Sequence, residues 1–187
     1  MALTTLDSNT ALIVIDLQKG IVALPPAEVA GDVIRHTCTL LDAFRRHGLP
    51  VVLVNVDRGA PGRTERAFSI RDMAPDWTDL IPELDRRPGD ITVTKRSWGA
   101  FATTDLDAQL KARGVTQVVV CGIATAAGVE ATARQAYEGG YNVTLAIDAM
   151  ADMRAEAHAW SLANVFPRLG ESGTTTDIVA LLDTRSL

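Results

Sequence analysis

The chain has 187 residues, 47% of them hydrophobic, which is material for one domain (1–187) with one well-filled core. A net charge of −5 and a pI near 5.1 exclude the basic face that a general nucleic-acid or anionic-membrane binder carries. Two widely spaced cysteines give neither a disulfide framework nor a zinc spacing; Met1–Thr10 has no basic leader and no apolar run spans a bilayer, so a cytoplasmic location is expected.

The first apolar run, Ala11–Ile15, is short and continuous, as in a strand covered on both faces. It ends on Asp16, with Gln18 close behind. Pro25-Pro26 then opens a helix over Ala27–His47 that sets Ala30, Val33, Ile34, Thr37, Leu41 and Phe44 on one face, with Cys38 among them and Gly48 as its stop. Pro50–Val56 is the second strand. The stretch from Asp57 to Pro88 breaks the rhythm with Pro61, Gly62, Pro75 and Pro82 and with Arg58, Arg63, Arg66 and Arg71; an irregular loop this long suits a lid or a subunit contact.

Strand Ile91–Thr94 leads into Lys95. Trp98 and Phe101 follow on either side of Gly99-Ala100, two aromatics suited to wall an apolar pocket, to fill a subunit seam or to pack in the core. Thr104-Asp105-Leu106-Asp107 resembles a capping box with Asp in place of Glu, opening a helix that closes at Gly114. Gln117–Cys121 is the next strand, followed by a small-residue turn and a helix over Val129–Glu138 whose Ala and Thr residues let it lie close to a sheet. Asn142–Ile147 is the fifth strand, with Asp148 at its end to hold a crevice turn. Helices over Glu156–Val165 and Thr176–Leu182 complete the chain, with a short strand near Ser172–Thr174 between them.

Strands alternating with helices imply parallel crossovers, hence an α/β fold: a doubly wound, mostly parallel sheet flanked by helices on both faces, Rossmann-like in plan. Such sheets bind ligands at the carboxyl ends of their strands. Asp16 and Lys95 both stand at strand ends, and Lys95 is a lysine in a chain that otherwise prefers arginine. If the two meet, each holds the other charged, while burial works against both charges.

Three segments taken in order, Ile13-Val14-Ile15-Asp16-Leu17-Gln18, Val93-Thr94-Lys95-Arg96-Ser97-Trp98-Gly99-Ala100-Phe101 and Val120-Cys121-Gly122-Ile123-Ala124-Thr125-Ala126-Ala127-Gly128-Val129, resemble the isochorismatase-like hydrolase family. The resemblance runs from Ala11 to Leu182. Amidase members of that family use an Asp, a Lys and a Cys; Asp16 and Lys95 match the first two, and Gly128 stands where the cysteine is expected. The resemblance implies substrate-binding positions at Gln18, Trp98, Phe101, Ala124 and Thr125, a cis peptide at Ile123-Ala124, and turn amides near Ala124 and Gly128 as oxyanion donors. It also implies assembly into a dimer or larger homo-oligomer, with Asn164–Glu171 contributing to packing. The family's isochorismatases lack the cysteine as well and cleave a vinyl ether without a covalent intermediate.

The metal-dependent nicotinamidases of the family carry an Asp and a histidine pair after the second strand. Asp57 matches the Asp, but Arg58-Gly59-Ala60 supplies no histidine, and His36, His47 and His158 sit on presumed helices at unrelated spacing; no metal or cofactor is expected. Cys121, at the end of its strand, reads as a buried small hydrophobe. Three activities fit the residues: a hydrolase of a small organic molecule that dispenses with the thiol and uses Asp16 with Lys95; a catalytically silent binding protein on the same fold; and an amidohydrolase that acts on a C–N bond through Cys121 or a bound water.

Overall fold

The computed structural model of the chain describes residues 3–65 and 73–184. Six strands form one parallel sheet: β1 (Thr10–Ile15), β2 (Val51–Val56), β3 (Ile91–Lys95), β4 (Gln117–Ile123), β5 (Asn142–Ala151) and β6 (Glu171–Gly173), in the order β3-β2-β1-β4-β5-β6. The chain winds outward from β1 to β3, returns to the centre, and winds the other way through β6. That reversal leaves a crevice outside the carboxyl ends of β1 and β4.

The continuous apolar runs follow from this burial. Leu12 and Val14 of β1 pack with α2 (Ala27–Arg46) and α6 (Thr175–Asp183) on one face of the sheet. Ala11, Ile13 and Ile15 pack with α3 (Leu106–Ala112) and α4 (Glu130–Glu138) on the other. In α2, Pro26 stands just before the first turn, where its missing N–H costs nothing. Gly48, at φ +64°, turns the chain out so that Leu49 N bonds Phe44 O at 2.9 Å. Ala30, Val33, Thr37, Leu41 and Phe44 are buried as expected, together with Leu40, while Ile34 is half-buried. Cys38 is half-buried too, its Sγ against Glu83 O at 3.3 Å, and is not a core residue.

The strands at the crevice run further than the sequence suggests. Gly122, at φ +117°, sits in a break of register after Val120, where a Cβ would overlap Ile15 O. Pairing then resumes, Gly122 with Met150 and Ile123 with Ala151. Asp148 therefore lies inside β5 and not at its end. Its Oδ1 accepts from Thr175 N (2.7 Å) and Thr175 Oγ1 (2.9 Å), so it anchors the start of α6 and does not hold a crevice turn.

The expected capping box at Thr104 does not form: Thr104 Oγ1 accepts from Leu106 N, while Asp107 is held by Lys111 and Tyr141. A capping box does open α6, between Thr174 and Asp177. The helix expected over Glu156–Val165 is α5 (Ala155–Trp160) followed by a wider π-type turn, Ser161–Val165. A short α1 (Lys19–Val22) follows β1. Against it lies the described end of the long loop, with buried Trp77 stacked on Gly20 and a single bridge from Gln18 to Leu80. Arg66 and Arg71 lie outside the described residues. Among the described residues no helix is long and apolar enough to cross a membrane.

Candidate active site

Asp16 follows directly on β1 and is fixed there by its N–H bonding Val54 O of β2 at 2.9 Å. Its φ of +52° turns the carboxylate out of the strand; aspartate is among the few residues that tolerate this conformation. Lys95 is the last residue of β3, paired with Val56, and reaches across the end of β2. Lys95 Nζ stands 2.7 Å from Asp16 Oδ2, with both side chains almost fully buried (2% and 6% exposed), and donates also to Ser97 O at 3.2 Å.

The pair is incompletely bonded. Asp16 Oδ1 is buried and has no hydrogen-bond partner among the described residues. Burial pushes the Asp16 carboxyl up to about 6, and the neighbouring Lys95 ammonium only partly offsets this. A carboxyl that holds its proton near neutral pH, set beside a fixed cation, is the kind of group general acid–base chemistry requires.

The chain after β4 faces this carboxylate. The Ile123-Ala124 peptide is cis, and a π-type turn over Thr125–Val129 follows it. Gly128 comes so close that a Cβ there would lie 3.2 Å from Asp16 Oδ2 and 2.9 Å from Ile15 Cγ2. The position thus faces the Asp16 carboxylate, but it presents only hydrogen. Thr132, one turn into α4, donates to Gly128 O at 2.7 Å and accepts from Ala100 N at 3.2 Å, tying this turn to the segment that carries Trp98.

A cavity of about 380 Å3 opens above these groups. Asp16, Lys95, Ile123, Ala124, Ala127 and Gly128 form its floor, and Ile21, Leu24, Val56, Arg58, Gly59, Ser97, Trp98 and Met153 its walls. Leu24, Trp98 and Met153 are exposed at its mouth. The lining is mostly apolar, with Arg58 as its cation besides Lys95; Arg58 is tethered through Nε to Asp57 Oδ1 at 3.4 Å.

Asp16, Lys95, Gly128, Trp98 and Ala124 thus meet in one place. Three other expected residues do not line the cavity. Gln18 is fully buried, its amide accepting from Val56 N (2.7 Å) and donating to Val56 O and Trp77 O (3.1 Å each), which spends it on holding the loop. Phe101 packs against the ring of Tyr141, with centroids 5.8 Å apart. Thr125 points away from the cavity, its Oγ1 bonded to His158 Nδ1 at 2.8 Å. Cys121 is wholly enclosed in the core and burial pushes its thiol up to about 12, so it is no nucleophile for this cavity.

Asp57 faces the guanidinium groups of Arg58 and Arg96, surroundings that do not suit a metal cation. Among the described residues no three of His, Cys, Asp and Glu gather in a metal-holding group. The sequence did not point to Leu24, Met153 or His158, since Leu24 reaches the site region on the connection from β1 to α2 and the other two on the segment after β5.

Residues 10–177 match the isochorismatase domain family. An uncharacterized isochorismatase family protein of Bacillus subtilis is 44% identical over 178 residues, covering 91% of this chain and 93% of its own. The ureidoacrylate amidohydrolase of Variovorax paradoxus is 30% identical over 203 residues, covering 92% of this chain and 81% of its own. The solved structure of an isochorismatase family protein from Burkholderia thailandensis superposes with a TM-score of 0.90 at 42% identity, over 96% of this chain and 98% of that one. Matched by this family over residues 10–177 and by relatives over more than nine-tenths of its length, the chain belongs to the isochorismatase family, whose hydrolases include amidohydrolases.

Proposed function

We propose that the protein hydrolyses a small organic molecule without a thiol nucleophile, with Asp16 as general acid and then general base and Lys95 as its partner, and that the bond cleaved is of the vinyl ether type. The observation that carries this is the Asp16 carboxyl itself: buried, with Oδ1 unbonded and its proton held up to about 6, on a cavity floor whose nucleophile position is Gly128. Lys95 occupies Oδ2, so Oδ1 is the oxygen left to carry the proton. That proton passes to the alkene carbon remote from the ether oxygen, generating an oxocarbenium ion beside the newly ionised carboxylate. A water adds to the cationic carbon and gives a proton back to Asp16. The hemiketal then breaks its C–O bond to release a ketone and an alcohol, with one water consumed. The apolar walls suit a carbon skeleton and Arg58 suits an acidic substituent on it.

A second activity is favoured by the amidohydrolase relative: cleavage of a C–N bond by a water that ionised Asp16 activates. The two demand opposite protonation states of one group. Turnover of vinyl ethers and of small primary amides by the wild-type protein and by Asp16→Asn, measured from pH 4.5 to 8, separates them. Vinyl ether cleavage that falls above about pH 6 and vanishes in Asp16→Asn is the expected result. Amide cleavage that rises through the same pH establishes the second activity. Tight retention of such compounds with no turnover makes the protein a binder, and turnover that survives in Asp16→Asn overturns the role of Asp16.

A further inference from the structure

The turn that faces Asp16 is held from outside the cavity. We propose that Asp152 and His158, on the connection from β5 into α5, are positioning residues that clamp the turn of residues 124–128 against the Asp16 carboxylate; this rests on Asp16 being the reacting group. Asp152 Oδ2 accepts from Ala126 N at 2.9 Å, while its Oδ1 accepts from Arg154 N at 3.2 Å and so stiffens its own bend. His158 Nδ1 shares a hydrogen bond with Thr125 Oγ1 at 2.8 Å. One turn further, Ser161 Oγ donates to Glu130 Oε2 at 2.7 Å, at the first residue of α4. The segment of residues 152–161 therefore grips residues 125, 126 and 130.

None of these groups lines the cavity, so none is placed to touch a substrate. Yet the residues between the grips, Ala127 and Gly128, do line it; Gly128 stands against the carboxylate and has no side chain with which to seat itself. Its position is left to the backbone and to whatever holds that backbone. Burial lowers the proton affinity of His158, so the imidazole is neutral near pH 7 and bonds the Thr125 hydroxyl without placing a charge behind the turn. A turn that relaxes outward admits water to Asp16 Oδ1, and the carboxyl then returns toward its ordinary value.

The test is a 13C NMR titration of the Asp16 side-chain carboxyl in the wild-type protein, Thr125→Val, Thr125→Ser and His158→Ala, with melting temperatures measured alongside. Thr125→Val keeps the shape and removes the hydroxyl; Thr125→Ser keeps the hydroxyl. The expected result is a fall of about one pH unit in the Asp16 midpoint for Thr125→Val and His158→Ala, a tenfold loss of proton affinity, with Thr125→Ser close to wild type. Should Thr125→Val fail to fold, His158→Ala, a half-buried residue on an outer helix, carries the same reading. A midpoint unchanged in the hydroxyl-free and imidazole-free variants, or shifted equally in Thr125→Ser, overturns the proposal. The titration needs no turnover, so its outcome is independent of the vinyl ether assay. Where activity is found, the clamp variants are expected to lower kcat about tenfold at unchanged KM.

Discussion

Replacing Asp16 by Asn is expected to make the protein more stable at neutral pH. The Asp16 carboxyl moves from 3.8 to about 6 on folding, about 2 pH units, which corresponds to about 3 kcal/mol. The sign follows from proton binding. Between those two values the native state keeps a proton that the unfolded chain releases. The stabilisation is therefore present in full below the unfolded value and is lost as pH rises through about 6. Asparagine resembles the protonated acid in shape and charge, leaves Lys95 in place, and tolerates the left-handed φ of +52° as aspartate does. Urea unfolding of both proteins from pH 4.5 to 8, followed by tryptophan fluorescence, isolates this term, because every other titrating group is common to the two. The stability of wild type relative to Asp16→Asn is expected to drop across that range by about 2 kcal/mol, the remaining share of the ~3 kcal/mol being lost already below pH 4.5. The opposite expectation is equally definite: truncating one partner of a well-paired buried ion pair costs about 3–5 kcal/mol. If Asp16→Asn is less stable by that amount at pH 7, with a gap that does not narrow toward pH 8, the carboxylate is paired well enough to ionise normally and the acid role proposed for it fails.

Two further outcomes are expected. Gly128→Cys, combined with Ile15→Ala to remove the Cγ2 methyl that would stand 2.9 Å from the new Cβ, places a thiol beside Asp16 Oδ2; peptide mapping after iodoacetamide treatment at pH 7 is expected to find position 128 alkylated and Cys121 untouched. Gln18→Leu removes the acceptor of Val56 N–H and the amide donor shared by Val56 O and Trp77 O, at a cost of about 2–3 kcal/mol in urea unfolding, and Trp77 emission is expected to shift to the red as the loop loosens.

The strands and the floor of the site were legible in the sequence for one reason: in a parallel sheet covered on both faces, an apolar run and the polar residue that closes it already say where the chain meets the crevice. Asp16 and Lys95 were visible in this way. Gly122 and Asp148 misled because a glycine and a carboxylate inside strands look like strand ends; the register break at Gly122 lets β4 and β5 continue past both. Thr104 carried a cap signal that a competing bond to Ala100 O and the capture of Asp107 by Tyr141 override. Phe101 and Trp98 have the same neighbours in sequence, yet one faces Tyr141 and the other the cavity mouth, a choice made by Gln135 Oε1 accepting from Phe101 N at 3.0 Å. No local pattern encodes a partner that distant.

The cavity is assembled from two kinds of parts. Asp16, Lys95 and Ile123 are attached to β1, β3 and β4, whose registers tie them to one another across the sheet, so none moves without disturbing the others. Leu24, Arg58, Trp98 and Met153 instead stand on four separate connections, each reaching the mouth by itself. On the proposed reading, reactivity is written into the shared framework and selectivity into independent, replaceable pieces. A library that randomises the four mouth positions alone can reshape what enters while the acid, its lysine and the turn above them keep their spacing.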